Sequence, residues 1–411
     1  IYPSASRPEK EFAKYLDGLR SEGRGVADPL FTAEWAMLRQ QSDNLKRSAV
    51  SQKWLRTVEH LEVMESGPRA DFGGAFVPRT LAVWLNANET THFSTLEAAG
   101  VKVGQGLRTG ANRFFYVDCI ARLNRELDVA PDPIFGIKCV RVPSTVAPMV
   151  LRRQSELRRG YVVDTSALTG HVLDLRDYAL PEHLGYGRPA GVKLAYAPMR
   201  DDLAALVRAA QTTNVGSDAE PKWIPELSAV RTNAKAVDES TFEGNPRFWY
   251  MLPRFAPRHK PDLFVARVNS GHPKTVLNAV DRILIDANFS TLCLDGRGPF
   301  DRPGLLAYLN SGWCVAWMEL TGSVMGGGAL KLEASHLRRL PVPQFNMSQL
   351  RGLSKLGERL ASGAEDPRLI REDIDRLLIA ALFPTDRVEE KLLQLRTINK
   401  SQLEARVRRG K

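Results

Sequence analysis

VGQGLRTGANRFF, Val103 to Phe115, sets three glycines around an arginine and a threonine, then adds an asparagine, a second arginine and two phenylalanines. The spacing Gly104-x-Gly106-x-x-x-Gly110 is one residue longer than the dinucleotide fingerprint. That fingerprint also needs its last glycine at a helix N-terminus, where free amides and the helix dipole hold a pyrophosphate. Here the residues that follow, Arg113 to Val117, are aromatic and β-branched and predict a strand rather than a helix. Two readings stay open. The glycines can serve a hairpin turn that needs positive φ. Alternatively the turn protrudes and presents Arg108, Thr109, Asn112 and Arg113, side chains suited to phosphate oxygens or base edges.

Outward from this turn the texture changes in both directions. Residues 1 to about 66 place apolar side chains at three- and four-residue intervals and predict a helical lead-in. From Val77 onward, short β-prone runs such as TLAVWL, GVKVGQGL, RFFYV, FGIKCVRVP, GYVVDT and HVLDL alternate with glycine, proline and asparagine turns. RDDLAALVRAAQTT predicts an amphipathic helix with Leu203, Leu206, Val207 and Ala210 on one face. A second series follows, RFWYMLPRF, DLFVARV, RILIDANFSTLCL and LLAYLNSGWCVAWMELTG, read as strands ending in a helix. Helices close the chain, and the basic tail RVRRGK is expected to fray. The fold class is α+β: a helical N-terminal lead-in, a mixed β-rich region with inserted helices, and C-terminal helices. The expected segments are 1–76, 77–220, 221–345 and 346–411.

Composition narrows the partners. The 411 residues carry 57 Lys and Arg against 47 Asp and Glu, a formal charge of +10, which favours an anionic partner. Hydrophobic residues at 43% and charged residues at 25% exclude a disordered or fibrous chain. The four cysteines are far apart and the seven histidines never reach ligand spacing, so no metal is expected and a reducing cytoplasm is. No apolar run approaches the roughly 20 residues of a membrane span, and no membrane partner is expected.

A second glycine stretch, TGSVMGGGALKLEASHLRRLPVPQF from Thr321 to Phe345, again arranges Ser323, Lys331, His336, Arg338 and Arg339 around a flexible turn. Two basic glycine loops in one chain suggest one shared anion. NPRFWYMLPRFAPRHK joins aromatics to basic residues; either it is an aromatic core edged by solvated charge, or Arg254 and Lys260 grip phosphates. Asn288 and Arg297 are residue types suited to purines but read first as turn residues. The basic run RRQSELRR, Arg152 to Arg159, follows a backbone or is an exposed helical segment.

GVKVGQGLRTGANRFFYV, GGGALKLEASHLRRLPVP and REDIDRLLIAALF together resemble the C-terminal target-recognition region of TaqI-type N6-adenine DNA methyltransferases, found in type II and fused type II restriction–modification enzymes. The first motif of that family is matched by Gly106, Leu107, Thr109, Gly110, Asn112 and Phe115. The second is matched by Gly326 to Gly328, Leu332, Leu337, Leu340, Pro341 and Pro343. The resemblance covers about residues 77 to 385. It implies that the chain reads double-stranded DNA through loops facing the major groove; together with the residue readings above, the expected contacts are Arg108, Thr109, Asn112, Arg113, Arg254, Lys260, Ser323, Lys331, His336, Arg338 and Arg339. It further implies a methyltransferase catalytic domain or subunit that binds S-adenosylmethionine and takes up a flipped adenine.

The chain lacks that family's cofactor loop and its N-P-P-Y-like tetrapeptide; Asn245-Pro246-Arg247-Phe248 keeps only the first two letters. The chain alone is therefore expected to be inactive and to hold no cofactor, its catalytic partner lying before Ile1. Two other classes remain: a complete enzyme whose glycine loops hold a cofactor, and a protein-interaction module with helices from Asp373 to Arg408 as a docking arm.

Overall fold

The computed structural model describes residues 93–158, 160–184, 196–235, 247–383 and 387–409. The expected lead-in 1–76 and the strand TLAVWL lie outside the described residues. The remainder is a mixed α+β fold with no closed barrel among the described residues.

Its centre is a four-stranded antiparallel sheet in the order Thr275–Leu277, Leu263–Ala266, Phe289–Leu294, Val101–Gln105. Val101–Gln105, the strand entering the first glycine motif, is thus an edge strand, paired with a partner nearly two hundred residues away: Val101 faces Leu294 and Gln105 faces Ser290. Alternation sorts the side chains. Val101, Val103, Leu263, Val265 and Leu292 enter a core shared with the C-terminal helices, whereas Phe264, Ala266 and Phe289 face the opposite side with Leu151, Val163 and Ile285.

LLAYLNSGWCVAWMELTG, expected to close the second series as a helix, contains two helices. Arg302–Leu309 and Gly312–Thr321 are divided at Asn310-Ser311. The Ser311 hydroxyl accepts the Cys314 amide at 3.1 Å and so starts the second helix. Asn310 turns its amide onto both backbone groups of Thr275, an acceptor at 3.0 Å and a donor at 3.0 Å, and fastens the break to the sheet. Both helices are buried almost all round, including Tyr308, Trp313 and Trp317, which hides the one-sided periodicity of a surface helix. Met347–Ser362, Pro367–Leu382 and Val388–Arg409 complete this layer.

A second antiparallel sheet, in the order Val140–Pro143, Glu126–Ala130, Tyr116–Leu123, Gly170–Val172, packs on the expected helix Asp201–Thr212. That helix buries Leu203, Ala204, Leu206, Val207 and Ala210. RFWYMLPRF joins the same core as irregular chain: Tyr250 and Met251 are fully buried and Trp249 lies 4.9 Å from Phe114. The aromatic-core alternative therefore describes these side chains.

Candidate nucleic-acid interface

The first motif links the two sheets and is not a hairpin. After Val101–Gln105 the Leu107 amide donates to Ile285 O at 2.7 Å and its carbonyl accepts the Ala287 amide at 2.9 Å, so the chain crosses onto the 284–288 segment. A Cβ on Gly106 would lie 2.2 Å from the Asp286 carbonyl oxygen and 2.3 Å from that of Ile285. Only glycine permits this approach. Gly110, at φ 80°, presses on Ala229. Asn112–Phe115 then forms one helical turn, in place of the expected strand start, before Tyr116–Leu123 begins. Phe114 and Phe115 are buried within that turn, which is why an aromatic pair of strand-like composition settles as helix.

The polar residues of this motif divide. Thr109 is 1% exposed; its hydroxyl donates to Asn112 Oδ1 at 2.6 Å and accepts the Ala111 amide at 3.3 Å. It braces the turn from inside. Arg108, Asn112 and Arg113 are exposed.

Asn112 and Arg113 open onto a cleft of about 400 Å³ whose walls also include Tyr116, Asp118, Asp132, Arg152, Arg153 and Asn288. Arg152 is fixed there by Asp118 at 2.7 Å and Glu156 at 2.9 Å. Its guanidinium is the chief reason that the Asp118 carboxyl stays below the ordinary carboxylate range. Beneath the cleft Tyr116 donates to Asp286, and burial pushes both groups up. RRQSELRR forms a short 3-10 turn, Gln154–Glu156, instead of a longer helix, and Arg159 lies outside the described residues. Asn288 gives its amide to Arg152 O at 3.0 Å, placing a turn residue at the cleft wall.

The second motif arrives at the other side of the same strand. Arg338 donates to Val103 O at 3.0 and 3.3 Å. His336 Nδ1 accepts the Glu333 amide at 3.1 Å and caps its own helical turn. Lys331 pairs with Glu333 at 2.7 Å, which holds that carboxyl low, and Glu333 also meets Arg267 at 3.1 Å. Arg267 donates in turn to Ala287 O at 3.3 Å, the carbonyl that receives the Gln105 amide at 3.1 Å. The two motifs thus touch directly at Val103 and are joined a second time through Arg267 at the Ala287 carbonyl. Ser323 sits half-buried in a short strand opposite Lys331, and Arg339 is exposed.

Arg254 and Lys260 are exposed on either side of the turn Pro257–His259. This turn lays Arg258 across Gly104, with 3.2 Å between Arg258 Cβ and the place a Gly104 Cβ would take. Lys102, two residues before Gly104, shares that face of the strand and is exposed. The local sequence singles out neither Lys102 nor Arg258; the alternation of Lys102 and Gly104 with the buried Val101 and Val103 is the available signal.

The GGG turn is built for the C-terminal helix. Gly328 touches Arg406 and Val407, with their backbone 3.0 Å from the place of its Cβ. Arg406, 3% exposed, donates to the carbonyls of Gly328, Asn269 (3.2 Å), Ser270 (3.3 Å) and Gly271 (3.0 Å) and to Glu319 at 2.8 and 3.1 Å. Within the expected fraying tail, Arg406 is an internal anchor, and the helices proposed as a docking arm pack on the core through Ile374, Leu378, Leu392 and Leu395.

The Cβ spaces at Gly106, Gly110 and Gly328 are filled by the chain itself, and the Gly106, Leu107 and Gly328 amides are bonded to carbonyls. Among the described residues no group of three or more His, Cys, Asp and Glu could hold a metal ion, and no helix is long and apolar enough to cross a membrane.

No curated protein matches the chain. The solved type IIG restriction endonuclease BpuSI is similar to it at 13% identity and a TM-score of 0.43, over 81% of this chain and 33% of that one, so the chain spans about a third of the length of that enzyme. Residues 245–378, which contain the second glycine motif, match the family model of the type II methyltransferase M.Eco57I C-terminal domain, and this part of the chain is similar to the C-terminal domain of a type II methyltransferase.

Proposed function

We propose that the chain is the double-stranded-DNA-reading region of a site-specific adenine-N6 methyltransferase belonging to a restriction–modification or related defence system of the cytoplasm. The observation that carries this reading is the meeting of the two glycine motifs where Arg338 binds the Val103 carbonyl, with exposed Arg108, Asn112 and Arg113 on one and exposed Arg339 on the other. The type II methyltransferase match over residues 245–378 supports it.

Arg254, Lys260 and Arg339, joined by Lys102 and Arg258, contact phosphates and set the register. Arg108, Asn112 and Arg113 reach base edges. Thr109, His336 and Arg338 are positioning residues, since their polar atoms hold the loops. Lys331 acts through its pair with Glu333, and Ser323 from its half-buried strand position. Methyl transfer from S-adenosylmethionine belongs to the catalytic partner; this chain orients the duplex.

The test is anisotropy of a labelled random-sequence duplex with the full chain across a salt series. Binding should weaken linearly in log Kobs against log salt, by a slope of about −0.9 per neutralised phosphate. Lys102→Ala and Arg258→Ala should each flatten it by about one unit. Absence of duplex binding at low salt contradicts the reading.

A further inference from the structure

The cleft beside the first motif is lined by several charged groups, and most are already satisfied. Arg152 is held by Asp118 and Glu156. Asp118 also accepts the Thr169 hydroxyl at 2.7 Å. Tyr116 is bonded to Asp286, and the Asn288 amide is turned onto Arg152 O. Arg113 and Asp132 differ. Arg113 is 57% exposed, and its Nε stands 4.0 Å from Asp132 Oδ2, beyond hydrogen-bond reach. Asp132 uses its other oxygen to accept the Ile134 amide at 3.0 Å, capping a short turn that fixes the carboxylate at the cleft wall.

A carboxylate in a face meant for DNA repels phosphate, so its presence needs a partner that donates. In the major groove the cytosine N4 amino group is such a donor, and the guanine opposite offers O6 and N7 to a guanidinium. O6 and N4 of one pair are hydrogen-bonded to each other, about 3 Å apart, which matches a guanidinium and a carboxylate standing side by side.

Resting on the DNA-reading function proposed above, we propose that the cleft reads one G·C base pair, with Arg113 on guanine and Asp132 on the cytosine amino group. At 4.0 Å, with Arg113 exposed and Asp132 half-buried, the pair is a loose one that opens at little cost. It makes the two residues a single reading unit.

The test starts from the site that the full chain selects out of a randomised duplex pool, then measures competition by duplexes in which each G·C pair is changed in turn to A·T. The wild-type chain should lose about 5- to 150-fold at the pair read by the cleft. Arg113→Ala and Asp132→Asn should lose discrimination at that same pair and keep it elsewhere; asparagine retains the cap on Ile134. Arg113→Lys, which keeps the charge but not the planar fork, should preserve affinity for random duplex and still lose the discrimination. The assignment is overturned if the variants weaken all duplexes equally, if they affect different pairs, or if they leave the selected site unchanged. Failure of the wild-type chain to bind any duplex instead removes the DNA-reading function itself, a separate outcome.

Discussion

The guanidinium of Arg338 donates two hydrogen bonds, 3.0 and 3.3 Å long, to the carbonyl oxygen of Val103. It fastens the second glycine motif to the exposed edge of the strand that enters the first. Arg338→Ala leaves that carbonyl to water, and should cost about 1–2 kcal/mol, the range of a charge-assisted bond at a solvated edge. Urea unfolding measures the loss; an unchanged midpoint would show that the edge stands without it.

Glycines of the two motifs should respond in opposite ways. Gly106→Ala drives a methyl group into the carbonyls of Ile285 and Asp286 and should destabilise by about 3 kcal/mol or more. Gly326→Ala meets nothing within 4 Å and should stay within about 0.5 kcal/mol. Thermal melting of both variants decides whether the glycines serve packing or flexibility.

Arg406 and Glu319 are both about 2% exposed at their side chains. Removing the cation leaves a buried carboxylate and several unanswered carbonyls, so Arg406→Met should cost about 3–5 kcal/mol. Among the described residues, Glu319 would keep only His272, at 3.3 Å. Protection of the Val388–Arg409 amides from hydrogen exchange should fall with it; retained protection would contradict the anchor.

His259 supports the turn that carries Arg258, its Nδ1 accepting the Ala256 amide at 3.2 Å. Burial, then the charge of Arg258, lowers its pKa to about 4. Between the unfolded value of about 6.5 and this folded value, the unfolded chain binds more protons. The contribution of His259 is therefore complete above the unfolded value and is lost as pH falls towards 4. His259→Asn, whose side-chain carbonyl can still accept the amide, should remove that part of the acid sensitivity. Denaturant midpoints of both proteins at pH 7 and pH 5 give the difference, and equal slopes would refute it.

Local signals in the sequence located the amphipathic helix 201–212, the edge strand 101–105 and the two glycine motifs, because each depends on spacing within a few residues. The helix that closes the second series is legible, but its division into Arg302–Leu309 and Gly312–Thr321 is not, because the break rests on the Ser311 cap and on Asn310 bonding to Thr275. Phe114 and Phe115 carried strand composition, yet tertiary packing put them in a helical turn. Residue type and turn chemistry single out Arg108, Asn112 and Arg113, and the fold leaves all three exposed. Thr109, Arg338 and His336 looked like DNA contacts for the same reason, and only the fold gives their hydrogen bonds inward destinations. Arg406 had no local signal at all: its acceptors come from residues 269–271, 319 and 328.

The most direct measurement is selection of bound duplexes from a randomised pool by the full chain at moderate salt, repeated with Arg108→Ala. Recognition through the first motif should enrich one sequence with the wild-type chain and blur it, at one or two positions, in the variant. A pool that emerges unenriched, or an enriched sequence identical in both proteins, would contradict the account.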